Sequence, residues 1–203
     1  MIRTSVTLPF VLVLVLLLEG CGTTALLGAA GVAGTGAVSV DRRTTGTMVE
    51  DETIEWKVRV ALTERGLSDE RHRVSVTSFN RIVLLTGQFP DEEAKRRAAA
   101  EAERVDQVRG VHNEIVVGPT TSISRRSTDV LLTGHVRIAM ATNPNSTAPS
   151  NVNVKVVTEN GVVFLMGLVT REEGKSVTET ARKVPGVAQI VRLFEYLDNR
   201  RAG

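Results

Sequence analysis

The sequence predicts an α+β fold built from two tandem α-β-β-α-β modules, each with a small mixed sheet packed on two helices. Three observations predict it: a passage that recurs eighty positions later, amphipathic helical segments on both sides of each copy, and an apolar strand segment closing the first copy with its counterpart in the second. Arg73 to Gly87 reads RVSVTSFNRIVLLTG and Asn153 to Gly167 reads NVKVVTENGVVFLMG. They are identical at Val74/Val154, Val76/Val156, Asn80/Asn160, Val83/Val163, Leu85/Leu165 and Gly87/Gly167. The matches keep the strand period of two on both sides of an Asn-containing turn, so what repeats is a β-hairpin and its buried face. Core and turn recur, without a set of reactive side chains, which points to binding or scaffolding before catalysis.

The first module opens at Glu50-Asp51-Glu52, acidic residues suited to a helix start. Ile54, Val58, Ala61 and Leu62 follow at helical spacing, with a stop at Arg65-Gly66. Trp56 lies off that stripe, either packed at an edge or free for contact. After the hairpin, Pro90-Asp91-Glu92-Glu93 begins a helix through Ala94, Ala98, Ala102 and Val105, and Val111 to Val117 is the closing strand before Gly118-Pro119. Thr120 to Ser127 reads as a solvated linker.

In the second copy Val136-Arg137-Ile138-Ala139-Met140 answers Val58-Arg59-Val60-Ala61-Leu62, and the loop from Thr142 to Asn151 is two residues longer than its counterpart. Thr170-Arg171-Glu172-Glu173 is a T-x-x-E capping box. Val184-Pro185-Gly186-Val187 answers Val108-Arg109-Gly110-Val111 at an offset of 76, which implies that the second copy's second helix is shorter by four residues, about one turn.

At the N-terminus, Arg3 precedes an apolar run from Val6 to Leu18 that ends in Leu18-Glu19-Gly20-Cys21. The run is shorter than the roughly 18 to 20 residues of a spanning helix and has the charged start and small-residue finish of a secretory signal. Cys21, the only cysteine, stands where a bacterial lipobox places its acylated residue, although Glu19 departs from the small or apolar residue usual there. A non-lipidated export signal and an uncleaved anchor are the alternatives. Each buried methylene contributes roughly 0.8 kcal/mol, so a cysteine carrying several palmitate-type chains anchors stably. Gly22, where an aspartate would retain a lipoprotein in the inner membrane, favours the outer membrane. Ala25 to Val40 reads as a flexible tether, because its glycines lack the context of a phosphate loop. The predicted boundaries are a signal peptide at 1–20, lipidated Cys21 and tether at 21–46, modules at 47–118 and 128–198, a linker at 119–127 and a tail at 199–203.

The net charge is +2, but it is unevenly spread. Thr47 to Gly118 holds 11 basic and 14 acidic residues, and Pro119 to Gly203 holds 11 basic and 7 acidic, so the second module is the basic one and suits an anionic partner. His72, His112 and His135 are scattered without ligand spacing, the folded part lacks a thiol, and no serine sits in a nucleophile elbow. No metal, cofactor or catalytic residue is implied. Nucleic acid fits poorly, since the basic residues are not interleaved with stacking aromatics.

With these residues in hand the chain resembles the BON-domain family in its dual-BON, outer-membrane lipoprotein form. The resemblance rests on the Leu-x-Gly-Cys signal, the Ala/Gly tether, Gly46 to Glu55, Val83 to Gly87 with Gln88, and His112-Asn113-Glu114-Ile115. Above all it rests on Thr158-Glu159-Asn160-Gly161 running into Val163-Phe164-Leu165-Met166-Gly167-Leu168-Val169. It implies two α-β-β-α-β modules on a lipid anchor at the outer membrane, facing the periplasm, without catalysis. It further implies support of the envelope's permeability barrier, often at the division site, and recognition of anionic, phosphatidylglycerol-type phospholipid by the second module. In that family the second module's first helix presents an aromatic to the membrane; Leu131 holds the position here. The candidate lipid-binding residues are Val130, Leu131, Leu132, Arg137 and Ala141, with Arg125 and Arg126 for headgroups. Because Leu131 and Leu132 are adjacent, one helical face cannot easily bury both. An alternative of another class is a structural adaptor that holds an envelope protein partner through its sheet or its Trp56 face.

Overall fold

The computed structural model describes residues 41–143 and 153–197. The signal, Cys21, the tether up to residue 40, most of the loop after Thr142 and the C-terminal tail lie outside the described residues. The element order is α1 (Thr45–Glu64), β1 (Arg73–Phe79), β2 (Ile82–Phe89), α2 (Glu92–Glu103) and β3 (Gly110–Val117), followed by α3 (Ile123–Thr142), β4 (Val154–Glu159), β5 (Val162–Val169), α4 (Arg171–Arg182) and β6 (Gln189–Tyr196). The α-β-β-α-β plan thus occurs twice, as the repeat predicts. In each copy the hairpin is antiparallel and the last strand runs parallel to the hairpin's second strand, giving sheets of order β1-β2-β3 and β4-β5-β6. A parallel neighbour requires a crossover, which α2 and α4 supply.

Both hairpin turns are two residues long with positive φ throughout: 51° and 65° at Asn80-Arg81, 51° and 79° at Asn160-Gly161. Such turns match the twist of the flanking strands, but their inward-facing amides need acceptors. An aspartate of the preceding helix supplies them. Asp51 Oδ2 accepts from the Asn80 amide at 2.8 Å, and its Oδ1 accepts from the Arg81 amide and the Ser78 hydroxyl, both at 2.7 Å. Asp129 Oδ2 accepts from the Asn160 amide at 2.8 Å and its Oδ1 from the Gly161 amide at 2.9 Å. The acidic start read at Glu50-Asp51-Glu52 is therefore corrected. Helix α1 begins at Thr45 behind the N-cap Thr44, and Asp51 is a buried turn clamp in its second turn.

Alternation along the strands sends one face to the helices. Val76, Val83, Leu85 and Phe89 pack on Ile54, Val58, Leu62 and Ala98, while Val156, Val163 and Leu165 pack on Leu132, Val136, Val177 and Ala181. Thr170 and Glu173 form the predicted capping box at the start of α4. The predicted shortening of the second helix does not occur, because α2 and α4 are each 12 residues long. Their N-caps, Asp91 and Thr170, stand 79 positions apart, and so do Gly110 and Gln189, which open the parallel pairing. The copies differ by one residue at the strand-to-helix junction, Phe89-Pro90-Asp91 against Val169-Thr170. The left-handed position before the last strand is Gln107 in one copy and Gly186 in the other, with φ of 71° and 95°. Pairing Gly186 with Gly110 displaced the comparison by three residues. Helix α3 starts at Ile123 behind the N-cap Ser122, so the second half of the predicted linker is helix.

The other sheet faces pack on each other. Phe79 and Leu84 of the first module form one buried cluster with Phe164 and Met166 of the second, joined by Ile82, Val157, Leu168 and Leu193. Charged pairs ring this contact. Glu159 accepts from Arg73 at 2.8 Å and from Gln88 at 2.7 Å, the Lys155 ammonium donates to Glu55 at 2.7 Å, and Glu195 takes Asn80 at 2.7 Å and Arg109 at 3.0 Å.

Removing an aspartate clamp strands two buried amides. In urea unfolding of the unit from Ala37 onward, Asp51→Ala is expected to cost about 4 kcal/mol and Asp129→Ala about 3 kcal/mol, hydrogen bonds to charged groups being worth roughly 1.5–3 each and not additive. Loss below about 0.5 kcal/mol in either would refute the clamp.

Candidate functional site

Helix α3 has two apolar faces. Asp129, Leu132 and Val136 recur at i, i+3 and i+7 and form the buried face. On the opposite side Ile123, Val130, Leu131 and Ile138 are 74%, 72%, 64% and 61% exposed. At 100° per residue these four fall on one stripe, with Gly134 and Ala141 between and beyond them. Arg126 and Arg137, at i and i+11, border the stripe on the side of Val130. Its far end meets a groove of about 460 Å³ between α3 and α4, bordered by His135, Ile138, Lys183 and Pro185.

The structure separates the predicted lipid-binding residues. Val130, Leu131 and Ala141 stand on the outer face. Leu132 does not: it is 5% exposed and sits in the core with Val136 and Val156, one turn from Asp129. Arg125 lies over the second hairpin turn, donating from Nε to Asn160 Oδ1 and from Nη2 to the Asn160 carbonyl, both at 3.1 Å. Arg137 is exposed and reaches the Val156 carbonyl at 3.3 Å. Arg126 is exposed and has no side-chain partner among the described residues. Sequence reasoning missed Ile123, hidden in the supposed linker, and did not weigh Ile138; the i, i+7, i+8, i+15 spacing of 123, 130, 131 and 138 was the available signal. Among the described residues no helix is long and apolar enough to cross a membrane.

The BON domain matches this chain twice, at residues 50–119 and 128–198. The chain belongs to the BON-domain family. Its relatives include the outer membrane lipoprotein DolP of Haemophilus influenzae, 39% identical over 89% of this chain and 91% of that one. The 21 kDa hemolysin of Actinobacillus pleuropneumoniae is 33% identical over 78% of this chain and 80% of that one. A solved structure of CdsD, a structural protein of the type III secretion system of Chlamydia trachomatis, aligns at 16% identity over 72% of this chain and 63% of that one, with a TM-score of 0.27 that bears on neither fold nor function. With both BON domains and the DolP likeness, the chain is a DolP-like outer-membrane lipoprotein, of a family not known to be catalytic.

The segment that leads into the first BON domain is fastened to the second. Arg42 donates to both Glu173 carboxylate oxygens, at 2.6 and 2.8 Å, and to the Leu168 carbonyl at 3.0 Å. Asp41 accepts from Asn153 at 2.6 Å, and Arg43 bridges Asp41 and Asp51 while lying 4.0 Å over the Phe79 ring. The chain therefore reaches the second domain before it enters α1. The Arg42 guanidinium holds the Glu173 carboxyl below its ordinary value, against burial that pushes it up, with the Thr170 amide also favouring the charged form.

A depressed folded-state pKa contributes stability that is present above the unfolded value, about 4.3, and is lost as the pH falls through the folded value. Arg42→Ala is thus expected to lower stability by about 1–2 kcal/mol, a gap that is flat above about pH 5 and narrows below about pH 4. Urea unfolding across that range checks it, and a gap unchanged down to pH 3 would show that the strap does not act through the Glu173 charge.

Proposed function

We propose that this DolP-like lipoprotein binds anionic phospholipid through the outer face of α3 in its second BON domain, and that it supports the envelope's permeability barrier from its lipid anchor, at sites that include the division site. The observation that carries the reading is the solvent-facing stripe Ile123, Val130, Leu131 and Ile138, bordered by Arg126 and Arg137. A contiguous apolar stripe on water is unfavourable unless something covers it. An amphipathic contact lying in the bilayer interface buries it at roughly 1.5–3 kcal/mol per fully buried aliphatic side chain, and each arginine near an anionic surface adds about 1 kcal/mol. The acylated Cys21 would hold the domain at the membrane, so that even weak contact is populated. The surplus of basic over acidic residues in this half supports the anionic preference.

A second reading places the contact on α1, where Val49 and Trp56 are 60% and 62% exposed and could seat a periplasmic protein partner. A partner that co-purifies in high salt, is lost with Trp56→Ala and needs no lipid would favour that adaptor role.

Flotation of the unit from Ala37 onward with vesicles, with and without phosphatidylglycerol and at two salt concentrations, tests the first reading. Binding that requires the anionic lipid, weakens with salt and falls at least about ten-fold in Leu131→Glu is expected, since a carboxylate replaces an inserted aliphatic group. Equal recovery on neutral and anionic vesicles, or no binding by the folded wild type, would move the search to the α1 face.

A further inference from the structure

The second hairpin turn is the dipeptide Asn160-Gly161. Asparagine before glycine is the pair most prone to spontaneous deamidation, because no side chain shields the following amide nitrogen from the carboxamide. Glycine makes room for Arg125 here: a Cβ on Gly161 would stand 2.9 Å from Arg125 Nη2. In the first copy Arg81 follows Asn80, and Thr47 stands in α1 where Arg125 stands in α3.

Two residues of α3, one turn apart, grip opposite edges of the Asn160–Gly161 peptide. Arg125 donates from Nη2 to the Asn160 carbonyl and from Nε to Asn160 Oδ1, both at 3.1 Å, and Asp129 Oδ1 accepts from the Gly161 amide at 2.9 Å. The C=O and N–H of a trans peptide point in opposite directions. The carboxamide is thus held on the carbonyl edge, while the nitrogen it would have to meet faces a buried carboxylate on the other.

We infer that Asn160-Gly161 is a modification site kept silent by α3, which deamidates when Arg125 and Asp129 let go of the turn. In the open turn hydroxide removes the Gly161 amide proton, and the nitrogen attacks Asn160 Cγ. The new N–C bond closes a succinimide as the bond from Cγ to the side-chain nitrogen breaks. Ammonia leaves with a proton from water, which returns the hydroxide. Water then opens the ring at either carbonyl to give aspartate or isoaspartate, so that one water is consumed and one ammonia released. In the closed turn both early steps are opposed: the Asp129 carboxylate favours the N–H and repels the anion left by its loss, and Arg125 holds the carboxamide away from the nitrogen. Isoaspartate places its Cβ in the main chain, so the two-residue turn gains a backbone atom and its amides no longer meet Asp129. The change is one-way, and it removes the contact that seats α3 on its sheet, whatever that helix binds.

The test is ageing of the unit from Ala37 onward at mildly alkaline pH, natively and in urea, followed by mass-spectrometric peptide mapping and isoaspartyl methyltransferase labelling. Native wild type should deamidate at Asn160 at least about ten-fold more slowly than the unfolded chain, since reaction waits for local opening. Arg125→Ala removes an exposed side chain and should raise the native rate about five-fold or more, through the loss of two hydrogen bonds from a charged donor. Val177→Ala, in the core of the same domain, should leave the native rate near the wild type's. Equal rates in native and unfolded wild type, or in Arg125→Ala and wild type, overturn the guard. An equal acceleration in both variants assigns the protection to global stability and overturns it too. Aged protein, separated by its added negative charge, should unfold at lower urea than fresh protein, and an unchanged midpoint overturns the link to the seating of α3.

Discussion

Both modules hang on one interaction: a buried aspartate on the first helix that receives the two amides of the hairpin turn. The turn cannot close without positive φ at two successive residues, and that geometry aims both amides inward, away from strand partners. Asp51 and Asp129 meet them from the second turn of α1 and α3, which sets how far each helix can slide along its sheet. The apolar stripes of the two helices can then fall only on the inward faces of their hairpins. Gly161 accepts its φ of 79° freely, whereas Arg81 adopts 65° against its own preference, and Asp51 carries in return the hydroxyl of Ser78 and the guanidinium of Arg43.

The sheet-on-sheet contact turns two marginal modules into one body. A three-stranded sheet covered on one side only would leave Leu84, Phe164 and Met166 on water, and each domain hides the other's exposed face. The surrounding ion pairs add little net energy once desolvation is counted, but they select one docking: Glu159, Lys155 and Glu195 each find a partner only when the sheets meet in this arrangement. The strap at Asp41, Arg42 and Arg43 is part of the same lock. It fastens the segment ahead of α1 to the domain that carries the α3 stripe.

Hairpins, cores and the order of elements were legible because each is written in a local period, two for strands and 3.6 for helices. What escaped was contact at long range in sequence. Asp51 looks like a helix-start acid until the hairpin turn, some thirty residues on, is folded beneath it. The glycine of Val184-Pro185-Gly186-Val187 was matched to the wrong glycine because a left-handed residue can be Gln107 as well as Gly186, and φ is not printed in a residue's name. Arg125 reads as a free cation in sequence and is tied to the Asn160 turn in space. The adjacency of Leu131 and Leu132 did resolve correctly into one buried and one exposed residue, since consecutive helical positions diverge by 100°.

The two first helices serve as controls for each other, because both are 20 residues long and sit on their sheets in the same way. Inward, α1 and α3 agree in kind: Asp51 with Asp129, Ile54 with Leu132, Val58 with Val136. Outward they part. Thr45, Glu52 and Thr53 on α1 stand where α3 has Ile123, Val130 and Leu131, and of the four stripe positions only Ile138 has an apolar counterpart, Val60. Packing explains the inward agreement and says nothing about the outward difference, since both outer faces are exposed. The α3 stripe runs over sixteen residues, about 22 Å of helix, which suits an extended apolar medium such as the bilayer interface. The α1 face offers instead one large aromatic, Trp56, with Val49 exposed two turns before it, the form of an anchor for a protein pocket. A fold duplicated for stability alone would have no reason to differ on this face, so the divergence favours the second domain over the first as the carrier of the proposed membrane contact.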